Sequence, residues 1–249
     1  MSNVEIEVRR RWATEGKDDL LFHDILFNKA HFEHHYARFE PFLKGKVLDL
    51  GAGCCWFGML LKQRKPEVDV VSLDVSKDMM DLDRRAAEKM GIPYIETTKM
   101  LFDGKALPFP DKSFDCIFFS AVWHHIQDLP TYFKEVRRVL KDDGAVIAIN
   151  EPCSPVTPGL RQYYNERFGH ETRDEGLWEQ PRTPGEYTAA LQAGGFTNVS
   201  IKYDRFKIKR NWQKMGALPN AVYTVASIIP PTVLNRFVIG GSIVAIARP

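Results

Sequence analysis

The sequence predicts a doubly wound α/β domain, a mostly parallel sheet with helices on both faces. Three observations predict it. Between residues 46 and 150, short and nearly all-apolar segments alternate with helical ones, as strands buried on two faces require. The first such segment, Val47-Leu48-Asp49-Leu50, runs into Gly51-Ala52-Gly53. Open α/β sheets receive ligands at the carboxyl ends of strands like this one. The second segment stops on an acid, Asp74.

Taken in order, residues 1–40 are rich in aromatics and histidine. Phe22, Ile25, Leu26 and Lys29 follow helical spacing with only the last polar, which predicts one or two helices as an N-terminal helical cap. The main domain spans 41–249. Residues 56–65 read as helix and Val68 to Leu73 as a β-branched strand. A helix over 77–90 stops at Gly91. A third strand lies within 94–102 and a fourth over Asp115 to Ser120. Leu129 to Leu140 is helical, and Asp142-Asp143-Gly144 turns into a fifth strand, Ala145 to Asn150. Residues 151–185, rich in Pro, Arg, Glu and aromatics, form a substrate-side insertion. Residues 186–196 are helical. Val199 to Tyr203 and Ser242 to Ala247 are two late strands, joined by the long connection 207–240.

Composition excludes several classes. Lys+Arg number 34 against 32 Asp+Glu, a net charge of +2, so there is no electrostatic footprint for nucleic acid. The four cysteines, Cys54, Cys55, Cys116 and Cys153, form no C-x-x-C pair, which fits a reducing, cytoplasmic setting better than a disulfide framework. Met1 to Arg11 is too polar for a signal peptide. No apolar run is long enough to span a bilayer. His31, His34 and His35 sit at helical spacing, but no carboxylate or cysteine pattern accompanies them. The expectation is a partly exposed amphipathic face and no metal. Residues 215–239 read as a buried connecting helix rather than a lipid-binding surface, because Pro219, Pro230 and Pro231 interrupt them.

The glycine loop carries the chemistry. Gly51 and Gly53 let backbone approach a ligand, and the helix that follows offers amides to an anion. A dinucleotide loop has a third glycine three residues later; here that position is Trp56. An indole would block the close helix–strand packing that a pyrophosphate site uses. S-adenosylmethionine has no phosphate, and only its carboxylate needs the loop amides, so it fits better than NAD. Asp74, about 20 residues after the glycines, suits the ribose hydroxyls. Val75 and Met79 or Met80 follow it to pack on the adenine. Asp103-Gly104 stands where a carboxylate accepts from the adenine amino group. Asp49 alternatively holds the loop by its amides.

Together these residues resemble the class I small-molecule methyltransferases that use S-adenosylmethionine. The opening motif is Val47-Leu48-Asp49-Leu50-Gly51-Ala52-Gly53-Cys54-Cys55. Leu107-Pro108-Phe109 with Phe114-Asp115, Trp123-His124-His125, and Glu135-Val136 through Lys141 with Gly144 match later family segments. The resemblance covers about residues 40–150. It implies a Rossmann-like seven-stranded sheet with an antiparallel last strand, and methyl transfer that yields S-adenosylhomocysteine. The implied cofactor residues are Asp49, Gly51, Ala52, Gly53, Asp74, Val75, Met79, Asp103, Gly104 and Ser120. Cys55 stands where a third glycine is common; because it opens a helix, a helix-compatible backbone is expected there.

His124 and His125 are the candidate catalytic bases, since neutral imidazole suits general-base work near pH 7. The alternative is that one packs under the sheet edge and the other caps a helix. Ser120-Ala121-Val122-Trp123 replaces the Asn-Pro-Pro-Tyr-type motif of base- and amide-directed enzymes, which points to an oxygen or carbon of a small-molecule acceptor. Tyr163, Tyr164 and Trp178 are candidate pocket residues. Two other readings share the loop, a non-catalytic S-adenosylmethionine-binding module and an NAD-dependent oxidoreductase.

Overall fold

The computed structural model describes Glu7 and residues 18–104, 106–159, 161–162, 179–204 and 241–249. One helix, α1 (Asp18–Phe39), precedes the first strand, β1 (Lys46–Leu50). Then follow α2 (Trp56–Arg64), β2 (Asp69–Asp74), α3 (Lys77–Met80), α4 (Asp83–Met90), β3 (Thr98–Leu101) and β4 (Phe114–Ser120). The second half holds α5 (Leu129–Val139), β5 (Leu140–Cys153), α6 (Pro184–Ala193), β6 (Asn198–Tyr203) and β7 (Gly241–Arg248).

The strands form one seven-stranded sheet in the order β3-β2-β1-β4-β5-β7-β6. β3, β2, β1, β4 and β5 are parallel, and β7 runs antiparallel between β5 and β6. Strand order reverses between β1 and β4, so the crevice for a ligand opens at their carboxyl ends. The expected sheet is therefore observed, antiparallel last strand included.

Alternation along the strands sends side chains to two cores. On one face Phe57 of α2 stacks on Phe118 of β4 at 3.6 Å, and Phe32 of α1 meets both edge-on. On the other face Trp123, Phe133, Tyr187 and Phe196 are buried with Phe119. Such aromatic pairs add about 0.5–1.5 kcal/mol each beyond area burial. α6 starts where Thr183 and Glu186 form a reciprocal capping box.

Three boundaries differ from expectation. The helix expected over 77–90 is two helices, α3 and α4. The chain reorients at Asp83, whose buried carboxylate accepts from Tyr94 Oη at 3.0 Å and Lys99 Nζ at 2.9 Å. The third strand shortens to Thr98–Leu101, and the fifth lengthens to Leu140–Cys153. Residues 160 and 163–178 of the 151–185 segment and all of 207–240, with Tyr163, Tyr164, Trp178 and 215–239, lie outside the described residues. Among the described residues, no helix is long and apolar enough to cross a membrane.

Candidate active site

The glycine loop sits at the carboxyl end of β1. The Gly51 and Ala52 amides both donate to the Leu73 carbonyl, at 2.9 and 3.1 Å, which pins the loop to β2. Gly51 has φ +78, and a Cβ there would lie 2.6 Å from Val122 Cγ2. Its missing side chain makes room for the chain leaving β4 rather than for a ligand. Gly53 (φ +52) differs: a Cβ there meets only Met79 Cε, at 3.9 Å. This glycine is the one that borders open space. Cys55 overturns the expectation of a helical backbone. It sits at φ 58, ψ 23 as the N-cap of α2, because its amide must turn back to the Ala52 carbonyl at 2.9 Å. A left-handed non-glycine costs ~1–2 kcal/mol; burial of the side chain beside Ala52 and Met80 offsets part of it.

The acids divide their work unlike the simplest reading. Asp74, not Asp49, holds the loop: Oδ2 accepts from the Gly53 amide at 2.8 Å and Oδ1 from the Ser76 amide at 2.9 Å. Each carboxylate oxygen can accept more than one hydrogen bond. Asp49 is buried on β1, and its Oδ2 has no hydrogen-bond partner. Burial and the neighbouring Asp74 charge push its carboxyl up to about 8. Ser120 Oγ, at the end of β4, is likewise buried without a partner.

Asp49 on β1 and Ser120 on the neighbouring β4 thus each carry a buried polar atom without a partner near the carboxyl ends of their strands. The amides of Gly51, Ala52 and Gly53 already have acceptors within the chain, so the expected anion contact to them is not free as drawn. Met79 is buried beside Gly53 and Val75 is half-buried. Met80 instead packs with Ala52 and Cys55. Asp103 is exposed and Gly104 half-buried, just past β3, where the Phe102 amide donates to the Asp74 carbonyl at 3.2 Å.

His124 and His125 lie on a short 3-10 turn, Trp123–His125, directly after β4, and both are buried. The turn is held by Glu151, which sequence reasoning missed. Glu151 Oε1 accepts from the Val122 and Trp123 amides at 2.7 and 2.9 Å, and Oε2 lies 3.2 Å from His124 Nδ1. A β-bulge aims it there. Between Ala148 and Glu151 the register against β7 slips by one residue, with Asn150 at φ 58. An extra residue in one strand bends it and redirects the next side chain. Ala121, also left-handed at φ 56, turns β4 toward the same place. From the segment before α6, the Gln180 amide donates to the His124 carbonyl at 2.8 Å. His125 and Glu179 come close enough to His124 for one atom of each to lie within 4.8 Å.

Comparison with known proteins gives the family. The methyltransferase domain family matches residues 48–148. A demethylmenaquinone methyltransferase of Thermus thermophilus is 32% identical over 174 residues, covering 64% of this chain and 76% of that one. An uncharacterized methyltransferase, YcgJ of Bacillus subtilis, is 29% identical over 179 residues, 70% of this chain and 66% of that one. Among solved structures, the methyltransferase bound to the Trm112 activator of Haloferax volcanii superposes with a TM-score of 0.64 at 19% identity, covering 97% of both chains. Geranyl diphosphate C-methyltransferase of Streptomyces coelicolor, in complex with S-adenosyl-L-homocysteine, gives 0.60 at 15% identity over 82% of this chain and 69% of that one. Loop, strand order, matched domain and relatives agree: the chain belongs to the class I S-adenosylmethionine-dependent methyltransferases.

Proposed function

We propose that the methyl acceptor is a small molecule, that the methylated atom is oxygen or carbon, and that His124 is the base with Glu151 as its positioning residue. The observation that carries this reading is the His124–Glu151 pair at the carboxyl end of β4, beside the loop that borders the cofactor space. When bound, the cofactor supplies a methyl group made electrophilic by its sulfonium. An amine nucleophile brings its own lone pair, whereas a hydroxyl or a carbon acid must lose a proton.

Glu151 accepts at Nδ1, so the neutral His124 ring keeps its basic lone pair at Nε2. A base so placed contributes ~10²–10⁴ in rate. Alignment of acceptor and methyl group contributes up to ~7–11 kcal/mol. Asp49 Oδ2 and Ser120 Oγ would hold the cofactor's amino-acid end, and the Asp74 carboxylate its ribose hydroxyls. Val75 and Met79 would line the adenine, with Asp103 and Gly104 at its rim. Similarity to demethylmenaquinone methyltransferases supports a small-molecule acceptor.

The test is an acceptor panel of phenols, hydroquinones and enols beside primary amines and oligonucleotides. S-adenosylhomocysteine release would be followed and the new methyl located by NMR. Turnover on the first group is expected. Methylation confined to nitrogen or to nucleic acid would overturn the reading, and no turnover on any member would favour a binding module.

A further inference from the structure

A second chemical cluster lies away from the catalytic turn. His31 and His35 are one helical turn apart on α1, so their rings share a face. Asp204, the first residue after β6, meets both. His31 Nε2 is in contact with Asp204 Oδ2, and His35 Nε2 lies 3.3 Å from Oδ1. One donor atom of each residue falls within 4.8 Å of the others. His31 is fully buried and the Asp204 side chain is 1% exposed, while His35 keeps 19%. The face is partly exposed as expected, with His31 buried, His35 half-buried and His34 exposed, but the carboxylate missing from the local pattern arrives from 169 residues away.

We infer that His31, His35 and Asp204 bind a divalent first-row metal ion of the imidazole-preferring kind, with Zn²⁺ the natural probe. The buried Asp204 carboxylate faces two imidazole nitrogens, and a cation shared among the three would pair with its charge. Two imidazoles and one carboxylate are a recognised donor set for such ions. Bond lengths of ~2.0–2.2 Å place tetrahedral donors about 3.4 Å apart, close to the His35–Asp204 separation. Water would complete the coordination, and of the three donors His35 is the one that keeps contact with solvent. Each residue offers one lone-pair atom to the ion, a ring nitrogen from each histidine and a carboxylate oxygen from Asp204.

Placement gives the ion a role. β6 runs parallel to β5, since both are antiparallel to β7, so Asp204 lies at the carboxyl edge of the sheet. The ion would clamp α1 to the point where the chain leaves β6. One turn earlier on α1, Asn28 accepts from the Asn150 amide group in the β5 bulge, next to Glu151. The clamp therefore sets how α1 sits over the strand that positions His124. The inference does not depend on the identity of the acceptor.

The experiment uses the full chain, stripped with chelator and titrated calorimetrically with Zn²⁺ alone, then with Co²⁺ for its visible spectrum. One equivalent is expected, with a rise in Tm. His35→Gln, chosen because the ring is partly exposed and the variant should fold, should weaken binding at least tenfold and cancel the rise. The double variant His124→Gln/His125→Gln should retain both effects. The inference falls if the wild type takes up no stoichiometric metal, if His35→Gln binds as tightly, or if binding disappears in the double variant instead.

Discussion

Around the glycine loop, contacts join near neighbours in the chain. Gly53 meets Asp74 across 21 residues, and Gly51 meets Leu73, both through one strand–helix–strand unit. Around the histidine turn they join distant segments. Val122 and Trp123 reach Glu151 across a helix, a strand and a bulge, and in the separate cluster on α1 His35 likewise reaches Asp204, 169 residues away. The first region is a local motif, held by backbone amides and tolerant of few side chains. The second is an assembly of side chains whose partners exist only once the sheet has closed. Cofactor binding should therefore respond to loop and strand-end changes, and turnover to changes in the assembly.

The largest expected effect is on turnover. Glu151→Gln removes the charge that orients His124 and half the acceptor capacity that holds the turn. It should lower kcat by ~10²-fold or more, with S-adenosylhomocysteine affinity by calorimetry changed less than about threefold. Next is Asp74→Ala, which strips the acceptor from the Gly53 amide and from the proposed ribose contact. It should weaken cofactor binding by well over tenfold; unchanged affinity would sink the ribose assignment.

The two glycines separate packing from binding. Gly51→Ala drives a methyl into Val122 at a positive φ, and urea denaturation should show a loss of about 1–3 kcal/mol. Gly53→Ala meets open space and should lose only the left-handed penalty of ~1–2 kcal/mol, yet it should affect cofactor affinity more.

The pH dependence is smaller and signed. Asp49 is raised from the ordinary carboxylate range to about 8. Its stabilising share is fully present below about pH 4 and is lost as pH rises toward 8. A cationic ligand favours the ionised form, so cofactor binding should release a proton below pH 8 and tighten as pH rises to that value. Calorimetry in buffers of different ionisation enthalpy reads the proton directly, and Asp49→Asn should abolish it. Smallest is Lys77→Ala, which breaks an exposed pair with Asp81 and should shift stability by under about 0.5 kcal/mol.

What was legible in the sequence follows the same division. The strand–glycine–helix unit, the acid ending β2 and the parallel order are written in local pattern, because burial on both faces demands apolar runs and ligand loops demand glycine. Two things were not. Cys55 in a left-handed backbone violates its own preference, and only the turn back to Ala52 forces it. Glu151 follows an apolar strand, but the bulge at Asn150 decides where it points, and a bulge is a pairing property. A signal existed nonetheless. Glu151 directly follows the apolar run Ala145 to Asn150, and Asp204 directly follows the strand segment Val199 to Tyr203, so a search for acids after strand segments, the rule that found Asp74, would have marked both. His31 was set aside for want of a carboxylate that only the β6–β7 pairing supplies.

The most direct test is His124→Gln, measured for S-adenosylhomocysteine binding and for methyl transfer to the best member of the acceptor panel on the same preparation. The account predicts affinity within about threefold of wild type and a rate at least ~10²-fold lower. Unchanged turnover would show that His124 is not the base. Loss of binding together with rate would show that the turn serves the cofactor rather than the acceptor.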